Sequence, residues 1–203
     1  MPGRKIILAG VSLMVVAGAG TLFSVTRDGD APRMPAATQA RSVTPAAELV
    51  EFRDDQAGFA LSYPTAWVRA TAPNPQIVLV AAERDPAQNQ GGSILVRVTP
   101  LDAPVGKGQL AEARKATDAL VASSDGVALR AEPTETEQGG LPGLYYLYTF
   151  RDPISGQTGV HSHFFLFKGS TMISVVFQTL PQDDFARLAP LFDRVAGSLR
   201  VLP

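Results

Sequence analysis

The stretch HSHFFLFKGSTMISVVFQT, residues 161–179, decides the fold. Two apolar runs rich in aromatic and β-branched side chains, 161–167 and 171–179, are separated by only the three residues 168–170. Such runs favour β-strands. A link this short joins two strands as an antiparallel hairpin, because a parallel pair needs a crossover of a dozen or more residues. The chain is therefore predicted to contain an antiparallel sheet.

Other segments upstream of this hairpin also have the pattern of strands. In 93–99, Ile94, Val96 and Val98 share one face while Arg97 lies on the other, which is typical of a half-buried antiparallel strand. The remaining predicted strands are 59–63, a strand beginning at Trp67, and segments 76–82, 127–131 and 144–150. The sequence thus predicts seven or eight strands.

Two segments have helical periodicity instead. In 108–123, apolar residues recur at three- and four-residue intervals, which predicts an amphipathic helix over one face of the sheet. The pattern is stronger in 183–201, where two aspartates suit the positive end of a helix dipole. We expect a short first turn ending near Leu188 and then a main helix with Pro190 in its first turn. The order strands, helix, strands, helix predicts an α+β fold with an antiparallel sheet covered by helices.

The N-terminus has the features of a membrane segment. Residues 6–25 carry no charge over a length that spans about 30 Å of hydrocarbon, and Arg4 and Lys5 precede them. The basic flank should stay in the cytoplasm, which places the rest of the chain outside. We therefore predict a retained transmembrane helix in 1–25, with a single pass through the cell membrane.

A cleaved signal peptide is the alternative for this segment. Residues 6–16 would form its apolar region, and the small residues 17–19 would suit a signal peptidase. The domain would then be secreted. A buried helix of a soluble protein is the least favoured interpretation, because three glycines lower helix propensity in water.

Composition separates a tether from a folded domain. Residues 26–49 contain three prolines and almost no large apolar side chains, so they cannot offset the entropy of ordering and are predicted to be a flexible tether. The folded domain is predicted in 50–203. The whole chain has a net charge of −1, which excludes a nucleic-acid partner because phosphate binding needs a basic excess. The absence of cysteine excludes disulfides, thiolate metal sites and cysteine nucleophiles.

His161 and His163 are the two histidines of the chain, and as alternate residues of a strand they share a face. This spacing occurs in two-histidine metal sites, but the glutamate that a cupin-like pattern would place after them is replaced by Leu166 and Phe167. The favoured interpretation is two ordinary strand residues, with no metal and no cofactor. Metal binding through both imidazoles is the less favoured alternative.

The sequence contains no recognisable catalytic set. The Gly-x-Ser-x-Gly motif of serine hydrolases is absent. Carboxylates cluster at 54–55, 83–85, 132–137 and 183–184, in segments predicted to be polar loops or helix caps. They are expected to be solvated rather than paired for acid–base work. We therefore predict that the protein is not an enzyme.

An aromatic strand is the most distinctive surface candidate. Along 144–150, Tyr146 and Tyr148 share one face while Tyr145 lies on the other, so neither face is plainly polar. A central strand covered on both faces explains this pattern. The alternative is a partner or ligand surface built from the three tyrosines with His161 and His163, because tyrosine offers a large rigid contact area with a polar tip.

The motif FALSYPTAW at 59–67, followed by the mid-chain helix and a terminal helix ending in SLRV at 198–201, resembles the PsbP-like superfamily. It is most similar to the exported actinobacterial branch, which includes the LpqN-type lipoproteins. The resemblance covers 51–203 and implies an α/β/α sandwich and a small non-enzymatic module that docks on larger assemblies. The acylated cysteine of the lipoprotein branch is missing, so a protein anchor would replace it.

These observations together predict an extracytoplasmic, membrane-tethered binding or scaffolding module whose partner is a protein or a cell-envelope component. The alternative function is a small-molecule or lipid carrier at the membrane surface. A carrier requires an enclosed apolar cavity between sheet and helix.

Overall fold

The structure is a computed structural model that describes residues 47–84, 90–123 and 126–203. Their ten strands are β1 (Leu49–Asp54), β2 (Phe59–Pro64), β3 (Val68–Arg69), β4 (Ile77–Ala82), β5 (Gly91–Val105), β6 (Ala128–Leu129), β7 (Thr134–Gln138), β8 (Leu141–Arg151), β9 (Thr158–Leu180) and β10 (Arg200–Val201). The two helices are α1 (Leu110–Ala122) and α2 (Phe185–Gly197).

The predicted membrane segment 6–25 and all but the last residues of the predicted tether lie outside the described residues. Among the residues that are described, neither helix combines the length and the apolar character that crossing a bilayer requires.

The described strands form two antiparallel sheets. The larger sheet has the order β3-β4-β5-β9-β8-β6, and β7 also pairs with β8. The smaller sheet has the order β1-β2-β10. Every pairing between these strands is antiparallel, which confirms the predicted α+β class.

β9 contains the predicted hairpin. Its first arm, 158–166, pairs with β8, and its second arm, 169–180, pairs with β5. The chain must reverse between the arms, because the imidazole Nε2 of His161 lies 2.9 Å from the side-chain Oε1 of Gln178. The reversal occurs at Gly169, whose φ of 56° is a left-handed conformation that glycine adopts without strain.

The larger sheet is buried on both faces. One face packs with α1 around Leu144, Phe165 and Met172. The other face packs with α2 and the smaller sheet around Phe164 and Phe177. Alternate residues of β8 and β9 pack into the two cores on opposite faces of the sheet. The sequences of both strands are therefore nearly continuous apolar runs. The result is three layers, with the larger sheet in the middle.

Besides β10, two edge strands were not predicted. β7 overlaps the cluster 132–137, which the sequence predicts to be a polar loop, and its Glu135 and Glu137 are exposed. Its pairing with β8 depends on backbone groups, so its side chains carry little strand signal. β1 begins at Leu49, at the end of the predicted tether, and its burial does not alternate cleanly.

The C-terminal helix also differs from the prediction. α2 is continuous from Phe185 to Gly197 with Pro190 inside it, rather than broken after Leu188. The helix contributes Leu188, Phe192 and Val195 to the core on both sides of the proline. This burial outweighs one lost backbone hydrogen bond. Residues 200–201 form β10 instead of extending the helix.

The folded unit is expected to be autonomous. A chain that begins near Glu48 should be a soluble monomer, because the described residues alone supply both cores and a domain of this size buries about two-thirds of its unfolded surface. Thermal unfolding followed by circular dichroism should show one cooperative transition. Aggregation, or melting without a transition, would mean that residues before 48 or a partner complete the fold.

Candidate functional site

The register between β8 and β9 places tyrosines opposite histidines. Tyr146 pairs with His163, and Tyr148 pairs with His161. All four side chains lie on the face of the sheet that α1 covers, because Tyr146, Tyr148 and the neighbouring Phe165 belong to the α1 core. The exposed fractions are 1% or less for three of these four residues and 6% for His161.

The hydroxyl of Tyr148 links the two histidines. It lies 3.1 Å from Nδ1 of His163 and 3.2 Å from Nδ1 of His161. The opposite ring nitrogens have partners on the second arm of β9. Nε2 of His163 is 2.6 Å from Oγ of Ser174, and Nε2 of His161 is 2.9 Å from Oε1 of Gln178. We call these five residues the Tyr–His chain.

Aromatic rings enclose the Tyr–His chain. The Phe150 ring stacks on His161 with centroids 4.2 Å apart, and Phe165 lies 3.8 Å from His163. Burial lowers the pKa of His161 to about 4, and burial together with the nearby His161 lowers the pKa of His163 well below its ordinary value. Burial also raises the pKa of the Tyr148 hydroxyl. All three groups are therefore neutral at pH 7.

A separate polar contact attaches α1 to the sheet. The Tyr146 hydroxyl lies 2.6 Å from Oγ1 of Thr117 and donates to Oδ1 of Asp118 at 2.7 Å. Burial, with a smaller contribution from Asp118, raises the pKa of this hydroxyl. Thr117 is 1% exposed, so this contact satisfies a tyrosine hydroxyl under the helix.

The five residues proposed as a partner or ligand surface do not lie together on the outside of the molecule. Tyr146, Tyr148, His161 and His163 are buried beneath the α1 face. Tyr145 lies on the opposite face, half-buried, with its ring 4.8 Å from that of Phe164. This arrangement is the one expected of a central strand covered on both faces.

Sequence reasoning missed the partners of the histidines. Ser174 and Gln178 are polar residues within the apolar run 171–179 and share one strand face. Their polarity in a buried strand was an available signal, because a buried polar side chain needs a partner. Matching them to His161 and His163 required the register of the hairpin.

The described residues hold no group of three or more histidine, aspartate or glutamate side chains that could bind a metal ion. Both Nδ1 atoms face the Tyr148 hydroxyl, whose pKa is raised by burial, so this hydroxyl is a poor source of a phenolate ligand. The geometry therefore satisfies the imidazoles without a metal.

Several carboxylates in the described residues make contacts at the surface. Glu83 receives two hydrogen bonds from the Arg187 guanidinium, at 2.8 and 3.0 Å, and this pairing lowers its pKa. Asp184 also contacts Arg187, at 3.4 Å. Asp55 is exposed and paired with Arg53. Contacts of this kind orient loops and helix ends.

An apolar cleft lies between α2 and the larger sheet. Leu61, Leu166 and Val195 line it together with Gln138. Its volume is about 10 Å³, which is at the lower limit for a single water molecule. This cleft cannot hold a lipid or a metabolite.

Comparisons by sequence give no relative: no protein-family model matches the chain, and no curated protein does. Comparison by structure gives several. The chain is similar to LpqN of Mycobacterium tuberculosis, described as involved in cell envelope biogenesis, with a TM-score of 0.57 and 10% identity over 77% of this chain and 91% of that one. It also matches a Bacteroides thetaiotaomicron structure with a TM-score of 0.53 and 16% identity, over 75% of this chain, and spans about half (48%) of that protein.

Two further solved structures match nearly over their full length. The cyanobacterial PsbP of Synechocystis sp. PCC 6803 has a TM-score of 0.51 and 14% identity, over 80% of this chain and 97% of that one. The Ran-binding protein Mog1p of Saccharomyces cerevisiae has a TM-score of 0.50 and 14% identity, over 77% and 96%. At these identities the likeness shows the fold. The chain has a PsbP-like fold, as predicted.

Proposed function

We propose that this protein is an extracytoplasmic, membrane-tethered module that binds a protein or a cell-envelope component without catalysing a reaction. The observation that carries the proposal is the closure of the Tyr–His chain. Both histidines are buried, neutral and hydrogen-bonded to the protein's own side chains. The two histidines, which are the side chains best suited to acid–base chemistry at neutral pH, therefore stabilise the fold. In this proposal a partner binds at the surface of the domain.

The structural neighbours support a binding role. Mog1p is described as Ran-binding, and LpqN as involved in cell envelope biogenesis. These descriptions belong to those proteins, and they agree with a fold that serves as a docking module. The described apolar cleft beneath α2 lends no support to the carrier alternative, because it is too small for a lipid or a metabolite.

The tether and the location are part of the same proposal. The uncharged segment 6–25 follows Arg4 and Lys5, an order that retains the N-terminus in the cytoplasm. In the proposed topology, the segment is retained as an anchor and the domain lies outside. Cleavage after the small residues 17–19 would give a secreted domain with the same binding role.

Protease added to intact cells without an outer barrier should digest residues 51–203. The expected pattern is loss of the domain from outside, because the positive-inside rule exports it. N-terminal sequencing of the mature protein separates the two exported forms, since a start near Gly20 would mean signal cleavage. Protection in intact cells, with digestion only after lysis, would contradict export.

Binding can be tested with photoreactive residues placed one at a time at exposed apolar positions of the full chain. Val68, Leu129 and Ile154 are suitable, with exposed fractions of 51%, 50% and 53%. Irradiation in intact cells should give an adduct of defined mass from at least one position, and excess unlabelled chain should suppress it. The proposal fails if no position gives an adduct that unlabelled chain competes away.

A further inference from the structure

The Tyr–His chain runs through the buried sheet as a continuous series of hydrogen bonds. In order, its members are Ser174, His163, Tyr148, His161 and Gln178. Each of the four contacts is between 2.6 and 3.2 Å long. The series crosses from the second arm of β9 to β8 and back, so it connects three adjacent strand segments.

The direction of the Tyr148 hydroxyl proton determines the tautomers of both imidazoles. The Nδ1 atoms of both histidines face the Tyr148 oxygen, which can donate to one of them and must accept from the other. The histidines must therefore be opposite tautomers. Oε1 of Gln178 accepts from Nε2 of His161, so the Tyr148 hydroxyl donates to Nδ1 of His161 and accepts from Nδ1 of His163. Ser174 then donates to Nε2 of His163.

The same geometry accommodates one additional proton. If one imidazole becomes charged, its two N–H groups donate to the Tyr148 oxygen and to its partner on the second arm. The Tyr148 proton then points to Nδ1 of the neutral imidazole, which carries its own proton on Nε2, so His163 changes tautomer when His161 is the charged ring. All four contacts remain hydrogen bonds. If both imidazoles become charged, both Nδ1–H groups point at Tyr148, whose own proton has no acceptor. Two buried positive charges then face one another, which disfavours this state further.

Other charged groups of the described residues are occupied elsewhere. On the α1 face the titratable and charged neighbours are Tyr146 on β8, Arg97 on β5, Arg114 and Asp118 on α1, and Asp152 just beyond β8. Asp118 contacts Arg114 and accepts from Tyr146. Asp152 accepts two hydrogen bonds from Ser155. Arg97 lies on the neighbouring strand β5, in register with Ser174.

We propose that the Tyr–His chain is a pH-sensitive device that holds one proton and breaks when a second one binds. While the Tyr–His chain is neutral or singly charged, its hydrogen bonds connect β8 to both arms of β9. When both histidines are charged, these ties are lost and the α1 face of the sheet opens. The inference concerns the folded domain itself and does not depend on the partner proposed above.

The direct test is histidine-selective ¹⁵N NMR of the full-length protein in detergent, which is simplified by the presence of only two histidines. At pH 7 we expect one Nδ1–H and one Nε2–H tautomer. On acidification, one imidazolium should form before the fold is lost. Identical tautomers, two imidazolium rings in the folded protein, or unfolding before any imidazolium forms would each overturn the proposal.

A second measurement uses the pH dependence of stability to count the protons that the histidines take up on unfolding. Folded histidines with lowered pKa values take up protons on unfolding, so stability falls as the pH drops below the unfolded value of about 6.5. Between pH 6 and 5 the unfolding constant should approach a hundredfold rise per pH unit in the wild type and tenfold in His161→Gln. Equal slopes would show that His161 takes up no proton on unfolding, which would contradict a buried, neutral His161 in the folded protein. Comparing the two proteins cancels the carboxylates they share.

Discussion

Replacing Trp67 with alanine is expected to lower the free energy of unfolding by about 3–5 kcal/mol. Trp67 is 8% exposed and belongs to the core between the larger sheet and α2. Its ring meets that of Phe192 edge-on, with centroids 6.5 Å apart. Gly92 of β5 lies against the same ring, so truncation leaves a cavity between rigid elements that cannot close easily.

Urea denaturation followed by circular dichroism measures this effect without relying on the lost tryptophan. Val68→Ala is the matched control, because Val68 is the next residue along the chain and is 51% exposed. Its replacement should change stability by less than about 0.5 kcal/mol. A Trp67→Ala protein as stable as the control would mean that Trp67 does not anchor α2, and wild-type fluorescence resembling indole in water would agree with that outcome.

Replacing Tyr148 with phenylalanine is expected to cost about 2–6 kcal/mol, because it leaves two buried ring nitrogens without a partner at about 1–3 kcal/mol each. The ring and its packing are retained, so the loss isolates the hydroxyl. Nδ1 of His161 loses a donor and Nδ1 of His163 loses an acceptor. Tyr148 is fully buried, so bulk water does not take the place of the lost hydroxyl.

Tyr145→Phe provides the matched control on the same strand. The Tyr145 hydroxyl is half-buried and accepts one hydrogen bond from Ser162 at 3.3 Å, so its loss should cost less than about 1 kcal/mol. If urea denaturation gives the same loss in the free energy of unfolding for both substitutions, Tyr148 does not hold the central position in the Tyr–His chain.

Replacement of His161 and His163 by glutamine is expected to be costly. At ordinary strand positions such a replacement changes stability by no more than about 1 kcal/mol. Their burial and their four hydrogen bonds predict a larger loss, because glutamine cannot reproduce the positions of both ring nitrogens.

The parts of the fold that could be predicted are those in which burial controls the side-chain pattern. The hairpin in β9, the strands β4, β5 and β8, and the helix α1 all have apolar residues at the spacing that their faces require. β1 and β7 lie at sheet edges, where backbone pairing permits exposed polar side chains. The sequence wrongly predicts a break in the helix before Pro190. Helix propensity does not include the packing of the apolar residues on both sides of the proline, which keeps α2 continuous.

The candidate site could be predicted only in part from the sequence, for a related reason. Alternation along one strand places Tyr146 with Tyr148, and His161 with His163. Whether these pairs face solvent depends on what covers the strand, and α1 covers them from a distant part of the sequence. Their partners Ser174 and Gln178 become evident only when the exact register of the hairpin is known.

The central claim of this account is that the histidines are closed to solvent and serve the fold rather than a chemical site. Acylation of imidazole by diethyl pyrocarbonate at pH 7, measured by mass spectrometry, tests it directly because reaction requires an accessible neutral nitrogen. The chain has two histidines, so each can be followed separately. We expect both to remain unmodified in the folded protein over a time that modifies both completely in urea. Modification of either one in the folded protein at the unfolded rate would show an open site and contradict the account.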